Sequence, residues 1–304
     1  RSVNTGMLAG NGTIRASVKG YASGKLSKEE LHQVWKAVEE ALSAGALGIS
    51  LGIAYAPEFE YDRDGLVEAL QPLKGTDIPI TTHIRNEGDG ILLALQEVIS
   101  VAEELQIPLH VSHMKCIGRK NWGGTPVKIL KLFDQAAERG VKVDFDLYPY
   151  LTGSTQLVHL LPPQFQEGGT DARLADPFCR KEITKVLKQP SDIFENIVEL
   201  AGFDMIYAST LHTEKFGSFA GQSIAKIAEQ FGQYLGKGLA AIAAVVNPEA
   251  FVIGGGVSKA GDVLCQYITK YYEKYAFHGC MNAQFKLATL GNDAGIYGAA
   301  KLVL

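Results

Sequence analysis

An α/β fold with a parallel sheet is predicted for most of this chain, as a partial (β/α)8 TIM barrel followed by a separate α/β segment. Three observations predict it. Strand-length apolar runs alternate with amphipathic helical stretches up to Tyr148, the order that builds βα units. The chemically interesting residues, His83 and His113 among them, fall at the C-terminal ends of the predicted strands, where such barrels keep their active sites. Past Phe231 the sequence becomes rich in Gly and Ala and the alternation changes.

Each element has its own local reason. Ser27 caps a helix whose first turn carries Glu29 and Glu30, acids that suit a helix N-terminus. Leu31, Trp35, Val38, Ala41 and Leu42 recur at helical spacing, and Gly45 ends the helix. Residues 47–53 read as a strand. The pattern repeats with a strand at 78–83, a helix at 90–105, a strand at 107–113, a helix at 126–139 stopped by Gly140, and a strand at 141–148. From Pro162 to Gly217 the signal weakens to a helix at 176–189 and a short strand at 203–209, with a further helix at 218–231. Residues 234–246 predict a close-packing helix rich in small residues. A strand at 251–253, a Gly254-Gly255-Gly256 turn, a helix from Ser258 to about Tyr275 and a strand at 285–290 follow. Asn292 caps a last helix. With no linker or internal repeat, the domains are placed at 1–231 and 232–304.

Bulk properties exclude several classes. A net charge of −4 gives no basic field for nucleic acid or an acidic membrane surface. The apolar stretch at 238–253 is broken by Asn247-Pro248-Glu249 and is too short to cross a bilayer. Cys116, Cys179, Cys265 and Cys280 form no C-x-x-C pair and suit a reducing compartment. The opening residues lack the apolar core of a secretory signal. A cytoplasmic protein is expected. Its first residue is not Met and no domain start is visible, so a piece of a longer protein is also expected.

Strand parity assembles a candidate site. Alternate strand residues share a face, so one barrel mouth could receive His83, His113, Lys115, Asp146 and Tyr148, whereas His110 is expected to pack against helices. Two neutral imidazoles from neighbouring strands are good zinc ligands. A lysine and a tyrosine hydroxyl nearby could hold a substrate carboxylate. Zinc would polarise an amide carbonyl, and a carboxylate would be needed to move protons. Asp144 or Asp146 could stand in for that carboxylate, Asp146 being the catalytic candidate. His32, His159, His212 and His278 are read as ordinary structural or surface residues.

The segments LAGNGTIR (8–15), GALGISLGIAYAP (45–57), THIRNEGD (82–89), VSHMK (111–115), GRKNWG (118–123) and DLYPYLTGST (146–155) closely resemble those of the N-acyl-D-amino-acid deacylases, the D-aminoacylases of the amidohydrolase superfamily. The resemblance covers residues 1 to about 230. It implies a metallo-dependent hydrolase barrel, zinc on His83 and His113, and an N-acyl-D-amino acid as the small-molecule substrate. It also implies that Lys115, Tyr148 and Ser154 hold the substrate's carboxylate, and gives Arg85, Asn86 and Glu87 a supporting role. Asp146 is assigned to orienting a histidine or the tyrosine. The family's first-strand His-x-His, its zinc cysteine and its final-strand general-base aspartate have no counterpart in this sequence. The zinc site is therefore expected to be short of a third protein donor.

Residues 234–262 (YLGKGLAAIAAVVNPEAFVIGGGVSKAGD), KYAF at 274–277 and LATLGNDAGIYGAAKL at 287–302 resemble the C-terminal end of bacterial ROK-family glucokinases, which have an actin-like ATPase fold. That resemblance puts Gly254, Gly255, Gly256 and Val257 on the nucleotide side. The family's phosphate loop, catalytic aspartate and zinc motif are absent, so bound ATP and Mg²⁺ are not expected. Three readings follow: a zinc amide hydrolase with little activity as this chain, a sugar-kinase remnant, and a non-catalytic chimera. A barrel that does not close is expected to leave sheet edges and an apolar interior open, which favours self-association.

Overall fold

The βα alternation builds one parallel sheet in the computed structural model of the chain, which describes residues 5–148, 150–166, 169–191, 194–208, 221–254, 258 and 260–289. Its elements are β1 (Ala9–Gly10), α1 (Asn11–Lys19), α2 (Lys28–Ser43), β2 (Ile49–Gly52), α3 (Arg63–Ala69), β3 (Ile80–His83), α4 (Ile91–Leu105), β4 (Leu109–Val111), α5 (Thr125–Glu138) and β5 (Val143–Phe145). The strands lie in sequence order, β1-β2-β3-β4-β5, and every neighbouring pair is parallel. This is a run of barrel-type βα units. β1 was not foreseen, because two small residues carry no periodicity.

Capping explains where the helices begin and end. At α2 the Ser27 hydroxyl accepts from the Glu30 amide while the Glu30 carboxylate accepts from the Ser27 amide, a reciprocal capping box. α4 buries eight residues, including Leu95, Val98 and Ala102, and ends at Gln106 in the left-handed region, φ 55°.

Register sorts the two faces of the sheet. Ile49, Ile80, Leu109 and Val143 are aligned across four strands, as are Leu51, Thr82, Val111 and Phe145. Apart from the buried Thr82, these rows join the main core with Leu95 and Phe133 or pack against it, and the Phe145 ring meets Phe133 of α5 at 5.0 Å. The alternate row is Ser50, Thr81, His110 and Asp144, with Gly52 beside His83. All are half-buried except Asp144, which is exposed. The uncovered interior expected to be apolar is therefore polar along this row. His110 needs correction too. It shares the row of Thr81, and hence the face of His83, because β4 ends at Val111 and parity cannot be counted back from His113.

After β5 the N-terminal unit, Arg1–Ala201, continues through α6 (Thr170–Ala175), α7 (Pro177–Leu187) and α8 (Ile197–Ala201). The second unit, Gly202–Leu304, contains β6 (Tyr207–Ala208), β7 (Gln222–Ser223), α9 (Ile224–Val246), β8 (Ala250–Ile253), α10 (Asp262–Tyr275) and β9 (Gln284–Leu287). β6 and β7 are antiparallel, β8 and β9 parallel. The helices expected at 218–231 and 234–246 are one continuous α9, so the composition change at 231/232 lies inside a helix and the compact units divide earlier. A Cβ at Gly232 would lie 2.6 Å from Tyr267 Cβ, and one at Gly236 2.7 Å from Tyr271 Cβ, so glycine is what brings α9 and α10 together. α10 starts at Asp262, not at Ser258. Gly254 directly follows β8, whereas Gly255, Gly256, Val257, Asn292 and His212 lie outside the described residues. Among the described residues no helix is long and apolar enough to cross a membrane.

Candidate metal centre

The site forms where β3 and β4 run out. His83 is the last residue of β3 and faces away from the helices. His113 lies just beyond β4 with φ 43°, a backbone conformation that costs about 1–3 kcal/mol outside glycine. Asp146 offsets that cost. Its Oδ1 accepts from the His113 amide at 2.5 Å and its carbonyl from the Met114 amide at 2.8 Å. Its Oδ2 lies 2.8 Å from His110 Nε2, and Asp144 Oδ1 lies 2.5 Å from His110 Nδ1. Asp146, the catalytic candidate, thus has both carboxylate oxygens engaged, in the orienting geometry.

The loop after β3 delivers a third donor. Buried Asn86 accepts from the amides of Gly88 and Gly90 at 2.8 and 3.1 Å, closing the turn into α4. Arg85 forks onto Glu97 of α4 and donates to the carbonyls of Phe59 and Tyr61. Held in this way, the loop buries Glu87, whose Oε1 lies 3.0 Å from His113 Nδ1 and 3.8 Å from His83 Nδ1. His83 Nδ1 and His113 Nε2 are 3.2 Å apart.

One nitrogen from each ring and one Glu87 oxygen lie mutually within 4.8 Å, the only such group among the described residues. The donor set fits a metal. Two donors on a tetrahedral zinc, each at about 2.0–2.1 Å, stand about 3.3–3.4 Å apart, close to the observed imidazole spacing. Two imidazoles and a carboxylate are also a recognised catalytic zinc set. The sequence reading gave Glu87 only a supporting role. Its spacing four residues after His83 was the available signal, but loop residues have no periodicity to aim them.

Electrostatics favour the ligand forms. Burial, helped by the charges of His113 and Lys115, pushes His83 down to about 4 despite Glu87, leaving a neutral imidazole at physiological pH. Burial alone would raise Glu87, but the His113 hydrogen bond and the Lys115 ammonium, which both attracts it and donates to it, outweigh burial and lower it. Lys115 Nζ donates to both Glu87 oxygens, at 2.6 and 2.5 Å, and lies 2.9 Å from His113 Nδ1. The half-buried Tyr148 ring is 5.7 Å from that ammonium. Ser154 is exposed in the following loop, and no contact joins it to the cluster.

Two further groups were missed by the sequence reading. Tyr55 stacks on His83 at 4.7 Å and meets the ring of His159 at 4.4 Å. Its hydroxyl is pushed up to about 12 by burial and then by Glu87 and Glu195. Glu195 is raised to about 7 by burial and then by the charge of Glu87.

Comparison with known proteins finds two kinds of relative, and the second match begins at residue 195, earlier than the change near Phe231 that the sequence shows. Its N-terminal half matches deacylases of N-acyl-D-amino acids, and residues 195–304 match the ROK family. The D-aminoacylase of Alcaligenes xylosoxydans xylosoxydans is 35% identical over 51% of this chain and 32% of its own length. The glucokinase of Halalkalibacterium halodurans is 52% identical over 20% of this chain and 19% of its own length. A solved N-acyl-D-glutamate deacylase from Bordetella bronchiseptica, complexed with zinc and a phosphonate mimic of the tetrahedral intermediate, is 25% identical. It gives a TM-score of 0.56 over 76% of this chain and 40% of that one. The chain thus spans about a third of the length of the deacylases it matches in sequence.

Proposed function

We propose that the N-terminal unit is the metal-binding part of a zinc-dependent hydrolase of N-acyl-D-amino acids, with low activity as this chain. The observation that carries the proposal is the convergence of His83, Glu87 and His113 beside Lys115. Bound zinc supplies Lewis acidity toward an amide carbonyl. His83 stays neutral and available as a ligand, Glu87 adds a negative donor, and Asp146 fixes the backbone of His113. Lys115 and Tyr148 are placed to meet a carboxylate, with Ser154 assigned to the same task by its place in the motif. The likeness to the deacylases supports the amide substrate. The proposed setting is the cytoplasm, in keeping with the free thiols of Cys116, Cys179, Cys265 and Cys280.

The ROK match favours a second reading for the C-terminal unit, a kinase remnant with Gly254 to Val257 assigned by its sequence to the nucleotide side. One pair of titrations separates the two. Calorimetry of the whole chain should show one zinc per chain, abolished in His83→Ala, with slow hydrolysis of an N-acetyl-D-amino acid. ATP should produce no saturable heat. Absence of zinc binding would refute the hydrolase reading, and saturable ATP binding would make the kinase reading primary.

A further inference from the structure

We propose that residues 194–201 form a strap that sets the position of Glu87, with Glu195 as the positioning residue. This rests on reading His83, Glu87 and His113 as a metal centre.

The strap is anchored at one end of α7. Asn196 is 2% exposed, and its Nδ2 donates to the carbonyls of Leu187 and Gln189 at 3.0 and 2.8 Å. Its Oδ1 accepts from the Glu199 amide at 3.2 Å, starting α8. The neighbouring Glu195 places Oε1 3.0 Å from the Glu87 amide, a bond between residues 108 apart in sequence. On its other side, the Glu87 carbonyl accepts from the Ile117 amide at 2.8 Å. The donor's backbone is thus gripped from both directions, which leaves its carboxylate aimed at His113 and Lys115.

Leu200 supplies the apolar half of the grip. A Cβ at Gly88 would lie 2.4 Å from Leu200 Cδ1, and one at Gly118 3.0 Å from Cδ2. Gly88 follows Glu87 directly, and Gly118, with φ 87°, follows Ile117. The leucine therefore rests on both loops that carry the grip. Outer groups of this kind orient ligands and tune metal affinity.

The test uses the whole chain, with zinc calorimetry and hydrogen exchange at the Glu87 amide. Glu195→Ala should weaken zinc binding by about tenfold to a hundredfold and speed exchange at Glu87. Glu195→Gln keeps an Oε1 acceptor and should restore both. Leu200→Ala, a milder change that leaves Glu195 intact, should weaken zinc binding in the same direction. Unchanged exchange at Glu87 in Glu195→Ala overturns the strap whatever zinc does. Faster exchange in a chain whose wild type binds no zinc overturns the metal reading and leaves the backbone grip standing. Failure of Glu195→Gln to restore zinc affinity also overturns the positioning role.

Discussion

In the N-terminal unit, Ile49, Ile80, Leu109 and Val143 form a row across four strands, and the core they share takes in Leu95, Val98 and Ala102 of α4. In the C-terminal unit the core is Ala240, Ala243, Tyr272 and Cys280, with Phe251 and Phe285 against it. The first unit fills its interior with branched aliphatic volume. The second brings two helix backbones together at Gly232 and Gly236 and closes the remaining space with rings. Volume-filled cores are most sensitive to removal of atoms. Interfaces built on glycine are most sensitive to addition. The donors of the first unit come together because its neighbouring strands β3 and β4 are parallel and end side by side.

The largest expected effect breaks the first side of that comparison. Leu95→Ala, at a fully buried position, should cost about 2–5 kcal/mol in guanidinium unfolding followed by amide exchange in α4. A loss well under 1 kcal/mol would mean the unit is loosely packed. Next, Gly236→Ala puts a methyl within 2.7 Å of Tyr271 Cβ and 2.8 Å of the Tyr272 amide nitrogen. It should cost about 1–3 kcal/mol. Gly238→Ala, with nothing within 4 Å, should instead stabilise α9 by roughly 0.4–1 kcal/mol. Equal responses at the two glycines would remove the close-approach argument.

The smallest effect is on pH. Burial lowers His110, but its bonds to Asp146 and Asp144 prevail and raise it. A raised imidazole contributes its full stabilisation below its unfolded value of about 6.5 and loses it as pH rises through the folded value. Urea midpoints of the wild type should therefore fall across that window, and His110→Phe should flatten the slope. A slope unchanged in the variant would assign it to another group.

Much of the parallel sheet was legible because its strands are apolar runs with helices at regular spacing between them. Ser27, Gly45 and Gly140 marked helix ends correctly for reasons of capping chemistry. β1 was not legible, since Ala9 and Gly10 acquire strand character only by pairing with Ile49 and Ser50. The change in composition near Phe231 falls inside helical sequence, and α9 runs through it without a break. At the site, His83 and His113 stood out as strand-end histidines in a recognisable motif. Glu87 did not, because its aim depends on Arg85, Asn86 and the bond its amide donates to distant Glu195. His110 was misread because the strand ends two residues before His113, and alternation has meaning only while a strand lasts.

The row Ser50, Thr81, His110 and Asp144 carries a consequence for how such a chain can exist. A closed (β/α)8 barrel fills its lumen largely with bulky branched residues, and cutting one open would ordinarily bare a greasy wall. Here the face that carries this row is hydrophilic, so water can wet it while the helices keep the opposite face dry. Among the described residues β1 and β5 are the rims of this five-stranded sheet, and the polar face between them depends on no apolar cover.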